Sequence, residues 1–379
     1  MMNRRGFTGA LAAAVVAGPV MARKAAFEDA GAQVVKGFPR GDGFWMPAEW
    51  EPHERTLMQF PSPQNWYRRT LSDVRVAWAK VANTIAEYEP VTVGVRPADR
   101  ERASAVLSAG IELIDMPLND AWARDTGPLV VINKAGLRRV AGFQFNGWGR
   151  KFDPYARDAL VKARFAAHLK LPMYSSDMVL EGGAVAVDGQ GTVLSTWENL
   201  VHSQRNPRWG EDKIVQEVKA FLGAEAVITL PQGVVPDAIT DGHIDRMAAF
   251  AAPGAVLLHS TADRNTPNYR ILQEAQEVLQ EARDAQGRKL EVIDVPLTSE
   301  LVAHMNFYIC NGAVIVPLAE SGAEDDGPLG VLREVFPRHK VVGVPLRASN
   351  AASAVPQEPA PSTAICRSLI ARGYQKGPA

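Results

Sequence analysis

Acidic side chains and one histidine follow strand-like runs in this sequence, and their types suit the binding of a flat cation. The residues concerned are Asp125, Glu181, His243 and Asp245. His243 and Asp245 are two positions apart, so on an extended strand both side chains point to the same face. Opposed carboxylates can hold a guanidinium through paired, charge-assisted hydrogen bonds, and a histidine beside them can move protons near neutral pH. Trp122 and Trp148 lie nearby in sequence and could add an aromatic wall.

Each of these residues also has a plainer interpretation. Asp125 could cap a helix or pair with Arg124, and the glycines 182–183 could form only a β-bulge. A single histidine such as His243 is often a core residue whose hydrogen bonds are satisfied. One histidine with several carboxylates could also hold a metal ion, but a two-residue spacing is weak support for that. From these residues alone, a metal site is therefore an alternative with little support.

The elements that position these residues recur along the chain. Asp125 and Glu181 are 56 positions apart, Glu181 and His243 are 62 apart, and His243 and Asn306 are 63 apart. Helical patterns fill the gaps at residues 72–88, 98–108, 155–169, 209–221 and 271–285. A period near 60 residues, hairpin plus helix, favours repeats of one supersecondary unit around a shared centre. An ordinary α+β domain whose hairpins merely recur is the alternative.

The composition excludes several classes of protein. The 379 residues are 46% hydrophobic and 22% charged, as is typical of a soluble globular protein. A net charge of −1 gives no electrostatic footprint for nucleic acid or an anionic membrane. Two cysteines rule out a disulfide scaffold and a cysteine-rich zinc site. The common nucleotide-binding, zinc-protease and serine-hydrolase motifs are absent.

The N-terminal residues 1–22 are typical of a twin-arginine export signal. Arg4 and Arg5 precede an apolar run over residues 9–20, and Ala22 ends a plausible cleavage site. The run is too short to span a bilayer of roughly 30 Å. We therefore predict a periplasmic protein without a membrane span, with a single domain over residues 23–379. A cytoplasmic protein with an apolar start is the alternative.

Several segments resemble the agmatine deiminase family, which includes the bacterial, porphyromonad-type peptidyl-arginine deiminases. They are residues 46–53, 122–128, 145–149, 180–183, 206–207, 240–245 and 306–317. The similarity covers roughly residues 43 to 360. The resemblance implies an α/β fold called the pentein, with five ββαβ-type units around a pseudo-fivefold axis and the active site at its centre.

The resemblance also implies a reaction. Members of this family hydrolyse a guanidinium to a ureido group with release of ammonia, without metal or organic cofactor. By position, Asp125 and Asp245 would hold the guanidinium, His243 would be the general acid/base and Glu181 would support the site. Trp122 would form part of the substrate wall. The expected partner is a small guanidine such as agmatine, arginine or an arginine peptide.

The nucleophile is where this sequence departs from the family pattern. The family uses a cysteine in a glycine-rich segment near the C-terminus, and alignment on residues 357–359 places Ser353 there. A serine hydroxyl is far less acidic than a thiol. Cys310 lies in a strand-like run, and Cys366 lies in residues 362–374, which we predict to be an amphipathic helix. The chain is thus either a deiminase or a non-catalytic guanidinium-binding relative. Amidinotransfer is a third reading that needs the same thiol.

Overall fold

The computed structural model describes residues 19–63, 71–298, 304–318, 322, 325–345 and 370–374, with residues 19–22 and 370–374 described by their backbone. The strands are β1 (Val34–Val35), β2 (Phe44–Trp45), β3 (His53–Gln59), β4 (Val91–Val95), β5 (Glu112–Asp115), β6 (Leu129–Asn133), β7 (Arg138–Gln144), β8 (Met173–Val179), β9 (Ala186–Val187), β10 (Thr192–Thr196), β11 (Ala226–Leu230), β12 (Ala248–Ala252), β13 (Ala255–Ser260), β14 (Glu291–Pro296), β15 (Tyr308–Cys310), β16 (Ala313–Leu318), β17 (Lys340–Pro345) and β18 (Ile370–Tyr374).

The helices are α1 (Pro19–Asp29), α2 (Leu71–Ala86), α3 (Arg100–Val106), α4 (Ala123–Thr126), α5 (Gly147–Arg150), α6 (Val161–His168), α7 (Trp197–Leu200), α8 (Glu211–Leu222), α9 (Pro267–Glu281) and α10 (Asp326–Val335). Helix α8 shows why such segments form: Ile214, Val218 and Phe221 recur every three or four residues and are buried. Acidic residues occupy its first turn, and Gly223 ends it in the left-handed conformation.

The strands form five sheets, and each sheet is built on the same unit. An antiparallel hairpin is followed by a helix and by a strand that pairs in parallel with the second hairpin strand. The hairpins and parallel strands are β18–β3 with β4, β6–β7 with β8, β9–β10 with β11, β12–β13 with β14, and β15–β16 with β17. We number these units first to fifth in that order. The first unit is completed by β18, from the C-terminal end of the chain.

Shared apolar clusters join each unit to the next and close a ring. Pairs that share a cluster across successive units are Leu57 with Ala123, Phe143 with Val193, Leu194 with Val256, Leu257 with Val314, and Ile315 with Val93. Adjacent residues on a strand face opposite sides, so the middle strands of the first, third, fourth and fifth units pack against both neighbouring units. In the second unit, β7 packs on one side against the third unit and on the other against α1 and α6. The predicted repeat of one unit around a centre is therefore confirmed.

Short 3-10 turns precede the hairpins on the inner side of the ring. They are the third-unit turn (Gly182–Ala184), the fourth-unit turn (Ile244–Arg246) and the fifth-unit turn (His304–Asn306). Helix α4 holds the equivalent place in the second unit. Helix α4 contacts the third-unit turn, which contacts the fourth-unit turn, which contacts the fifth-unit turn.

The predicted helix over residues 362–374 is wrong where the structure describes it. Residues 370–374 form β18, antiparallel to β3, whereas residues 362–369 lie outside the described residues. A short apolar run cannot be assigned to a buried strand or a helix by periodicity alone, and the partner strand lies at the other end of the chain. Helix α1 begins inside the predicted export signal, and its Phe27 packs in an apolar cluster with Val130. The single-domain assignment stays a prediction.

Candidate active site

The four predicted charged residues lie together at the inner ends of the units. Asp125 is in helix α4, Glu181 directly precedes the third-unit turn, His243 directly precedes the fourth-unit turn, and Asp245 lies within it. All four are buried. The imidazole Nδ1 of His243 is 3.8 Å from Oδ1 of Asp125, and its Nε2 is 3.6 Å from Oε2 of Glu181. The side chains therefore converge as the sequence predicted.

Gly183 marks the point where these side chains meet. A Cβ atom at Gly183 would lie 2.4 Å from Nδ1 of His243, 2.8 Å from Oδ2 of Asp245 and 2.9 Å from Oδ1 of Asp125. Its backbone N–H donates to Oδ1 of Asp125 at 3.0 Å. At Gly182 a Cβ would lie 2.1 Å from the carbonyl oxygen of Arg124. Both glycines are required by close approach, which replaces the interpretation of a mere bulge.

One carboxylate oxygen of Asp245 accepts no hydrogen bond from the described residues. Its Oδ2 is buried and has no hydrogen-bond donor, although the side chain is only 1% exposed. A buried carboxylate oxygen without a donor is costly, and native structures keep few of them. This oxygen lies at Gly183 together with Asp125 and His243. A ligand with N–H donors bound beside it would supply the hydrogen bond that the oxygen lacks.

Arg205 is a site residue that the sequence reasoning missed. Its Nε donates to both carboxylate oxygens of Glu181, at 2.8 and 3.1 Å, and its Nη1 donates to Asp241 at 2.6 Å. Burial would raise the pKa of Glu181, but Arg205 and His243 together outweigh burial and lower it to about 2. Glu181 is thus ionised at neutral pH, and the positive charge of Arg205 balances its negative charge. The adjacent Asn206, part of a recognised segment, was the available sequence signal.

The charges of His243 and Asp125 depend on pH. Burial would lower the pKa of His243, but Asp125, Asp245 and Glu181 together raise it to about 9. Burial raises the pKa of Asp125 to about 6, with help from Asp245 and Glu181 and against the attraction of His243. At neutral pH the site therefore holds an imidazolium among carboxylates, and Asp125 is ionised but close to its titration range.

Two tryptophans line the site. Trp148 donates its indole N–H to Oδ2 of Asp125 at 3.0 Å, and the ring of Trp122 lies edge-on to it, with centroids 6.4 Å apart. Trp148 is buried, whereas Trp122 is partly exposed and also packs against the apolar cluster shared by the fifth and first units. Trp122 was predicted as a wall residue. Trp148 was noted in the sequence but was not selected, and the structure places it against the carboxylate.

The plainer interpretation, in which Asp125 pairs with Arg124, is wrong. Nη2 of Arg124 donates to Oε1 of Glu49 at 2.7 Å, and its Nε donates to the carbonyl oxygen of Gly182 at 3.0 Å. Both partners of this ion pair are buried. Arg124 thus ties helix α4 to the third-unit turn through Gly182 and to the segment before β3 through Glu49, and Asp125 remains free to face the centre.

The position of the nucleophile cannot be read from the described residues. Ser353 and Cys366 both lie outside them. Cys310 is buried in β15, and its thiol donates to the carbonyl oxygen of Ala313 at 3.4 Å within the cluster between the fifth and first units. Its sulfur is therefore committed to packing, in agreement with the sequence interpretation.

Neither a metal-type cluster nor a helix suited to crossing a membrane occurs in the described part of the chain. No group of three or more His, Cys, Asp or Glu side chains there has the arrangement of a metal site. None of the helices described combines the length and apolar character needed to cross a membrane.

A ring of five such units is the architecture of known deiminases. The structure matches agmatine deiminase of Enterococcus faecalis with a TM-score of 0.85 and 31% identity, over 91% of this chain and all of that one. A substrate-bound agmatine deiminase variant from C. jejuni shares the fold, with a TM-score of 0.76 at 22% identity over 88% of this chain and 97% of that one. The fold is a pentein.

The sequence comparison gives the family. Residues 45–352 match the model of the Porphyromonas-type peptidyl-arginine deiminases. An agmatine deiminase of Pseudomonas aeruginosa is 38% identical over 364 residues, which covers 86% of this chain and 98% of the relative. The chain belongs to the Porphyromonas-type peptidyl-arginine deiminase family. Agmatine deiminases are among its similar relatives.

Proposed function

We propose that the centre of the ring binds the guanidinium group of a small molecule such as agmatine and hydrolyses it to a ureido group. The observation that carries the proposal is the convergence of Asp125, Asp245 and His243 on one point, with Oδ2 of Asp245 unfilled. A guanidinium offers five donors in a planar fork, which two opposed carboxylates can accept together. The names of the relatives support agmatine as the first substrate to test.

The hydrolysis proceeds through a covalent adduct. A thiolate attacks the guanidinium carbon and forms a C–S bond, and the C–N bond to one terminal nitrogen then breaks as the imidazolium of His243 gives that nitrogen a proton. Ammonia leaves. Neutral His243 then takes a proton from water, whose oxygen attacks the same carbon. The C–S bond breaks, and the remaining hydroxyl proton passes to solvent, where the released ammonia takes up one proton to become ammonium. The products are a ureido compound and the regenerated thiolate.

The repeat supports Cys366 as the source of this thiol. Asp125 lies four positions before the first residue of β6, Glu181 five before β9, and His243 five before β12. Cys366 lies four positions before β18, the equivalent strand of the first unit, whereas Ser353 lies seventeen before it. Strand β18 contacts helix α4, which carries Asp125. We therefore propose Cys366 as the nucleophile and keep Ser353 as the alternative from the sequence alignment.

A non-catalytic guanidinium-binding protein is the second candidate function. It is favoured by the departure from the glycine-rich cysteine motif over residues 347–359 and by the burial of Cys310 away from the carboxylates. The same carboxylates would bind the ligand in either case.

The test measures turnover and binding on the same protein. Agmatine, arginine and an arginine peptide are added to the purified chain, and ammonia, ureido product and calorimetric binding are followed. We expect turnover of one of them that is lost in Cys366→Ala and retained in Ser353→Ala and in the core control Cys310→Ala. Binding without turnover, lost in Asp125→Ala, would support the second function. Absence of both would contradict the proposal.

We also propose that residues 1–22 export the protein to the periplasm. The support is the paired Arg4 and Arg5 before a short apolar run. Cell fractionation tests it: the wild type is expected in the periplasm, and an Arg4→Lys/Arg5→Lys variant in the cytoplasm. Equal distribution of the two proteins would contradict it.

A further inference from the structure

Beside the site the backbone makes one turn of left-handed helix. All four residues of α5 have positive φ: 69° at Gly147, 52° at Trp148, 74° at Gly149 and 66° at Arg150. The turn is closed by hydrogen bonds from Arg150 N to Asn146 O at 2.9 Å and from Lys151 N to Gly147 O at 3.0 Å. Glycine adopts this conformation freely, but Trp148 and Arg150 adopt it against steric repulsion of the Cβ atom.

Neighbouring segments hold the strained turn in place. The side chain of Asn146 accepts the N–H of Gly149 at 2.8 Å and donates to the carbonyl oxygen of Gln204 at 3.0 Å. Lys151 donates to the carbonyl oxygen of Ile239 at 2.9 Å. The turn is therefore anchored to the loop that carries Arg205 and to the loop that precedes His243, and such over-determined strain is found at functional sites.

The strain gives Trp148 a single orientation. Phe145 and Phe152 pack edge-on against its ring, with centroids at 4.9 and 5.4 Å, and the side chain is 5% exposed. In this orientation the indole N–H of Trp148 donates to Oδ2 of Asp125, and the backbone N–H of Gly183 donates to Oδ1. One donor on each oxygen fixes the plane of the carboxylate and leaves a further acceptor direction on each for a ligand.

We propose that the left-handed turn serves to aim Trp148 at Asp125, and that Trp148 is the positioning residue that fixes this carboxylate for a guanidinium. The inference rests on the proposed function for the identity of the ligand. The contact between Trp148 and Asp125 can be tested without any ligand. Burial raises the pKa of Asp125, and the hydrogen bond from Trp148 opposes that rise.

The experiment uses Trp148→Phe, which removes the N–H and keeps an aromatic ring. The matched control is Trp209→Phe, because Trp209 is a partly buried tryptophan that packs against the apolar cluster shared by the second and third units. The carboxyl titration of Asp125 is followed by carbon NMR, with the signal assigned through Asp125→Asn. Agmatine affinity is measured by calorimetry at pH 7.5. In Trp148→Phe we expect the titration midpoint to move to higher pH and the affinity to fall about tenfold, as for a lost hydrogen bond to a charged group. The control should change neither.

An unchanged titration midpoint in folded Trp148→Phe would overturn the inference. If the wild type binds no guanidine but the midpoint still moves, the positioning role stands and the proposed function fails. Should Trp148→Phe not fold, Asn146→Ala removes the cap on Gly149 and leaves the indole in place. A higher midpoint in Asn146→Ala would then support the role of the turn, and an unchanged midpoint would overturn it.

Discussion

At the scale of single residues, Asp125 must carry a negative charge in a buried position to hold a cation. Because its pKa is raised to about 6, the carboxyl group becomes neutral as the pH falls below that value. Guanidinium stays protonated throughout, so we expect agmatine affinity to be highest above pH 7 and to fall about tenfold per pH unit well below pH 6. Calorimetric titration from pH 5 to 8 measures this. In Asp125→Asn the affinity should be low at every pH, and a wild-type affinity that is constant over this range would contradict the account.

His243 links the same carboxylates to the stability of the fold. Its folded pKa of about 9 is above the ordinary value of 6.5, so its charge stabilises the protein fully below pH 6.5. That contribution is lost as the pH rises from 6.5 through 9. In His243→Gln the free energy of unfolding should therefore fall less over this range than in the wild type. Urea denaturation at pH 6 and pH 9 measures the difference, and parallel curves for the two proteins would refute it.

Sequence reasoning found the titratable residues of the site because carboxylates and a histidine at hairpin ends suggest chemistry by type. It missed Arg205, which directly precedes the recognised segment 206–207, because Arg205 acts through a tertiary ion pair with Glu181 that no local pattern shows. It noted Trp148 but gave it no role in the site. The left-handed backbone that orients the indole is indicated in the sequence only by the glycines on either side of Trp148.

At the scale of elements, the third-unit turn lets three site side chains approach its backbone closely, because Gly183 has no Cβ atom. Gly183→Ala would place a methyl group there, within 3 Å of three site side chains. We expect agmatine affinity to fall at least about a hundredfold, comparable to losing two charge-assisted hydrogen bonds. Calorimetry gives the affinity, and circular dichroism confirms the fold. The control Gly110→Ala meets no atom within 4 Å and should bind as the wild type does. Full binding in Gly183→Ala would show that the ligand lies elsewhere.

The ion pair with Glu49 fixes the side chain of Arg124, whose Nε binds the third-unit turn at the carbonyl oxygen of Gly182. Because both side chains are buried, Glu49→Ala leaves a guanidinium without its carboxylate, and we expect the free energy of unfolding to fall by about 3 kcal/mol or more. The exposed pair of Arg40 and Glu225 is the comparison, where Glu225→Ala should cost no more than about 1 kcal/mol. Urea denaturation measures both variants. Equal losses would mean that the buried pair does not anchor the turn.

Hairpins and helices within a unit were predictable because their signals are local, in turn residues and in apolar periodicity. Strand β18 was not, since it pairs with β3, more than 300 positions earlier in the sequence. Its short apolar segment was taken for a helix, and only the partner strand decides its conformation.

At the scale of the whole molecule, the ring closes because the two ends of the chain meet in the first unit. The near-60-residue period suggested a repeat, but spacing alone left an ordinary α+β domain open. The resemblance to deiminases resolved this, and the five shared apolar clusters show the physical basis: each central strand is buried on both faces. Convergence of the site follows from that closure.

The most direct test is a crystal structure of the protein with agmatine. We predict the guanidinium at the point above Gly183, with hydrogen bonds to the carboxylates of Asp125 and Asp245 and with His243 beside its carbon. Agmatine bound elsewhere in the crystal, with Oδ2 of Asp245 still unfilled, would contradict the central claim.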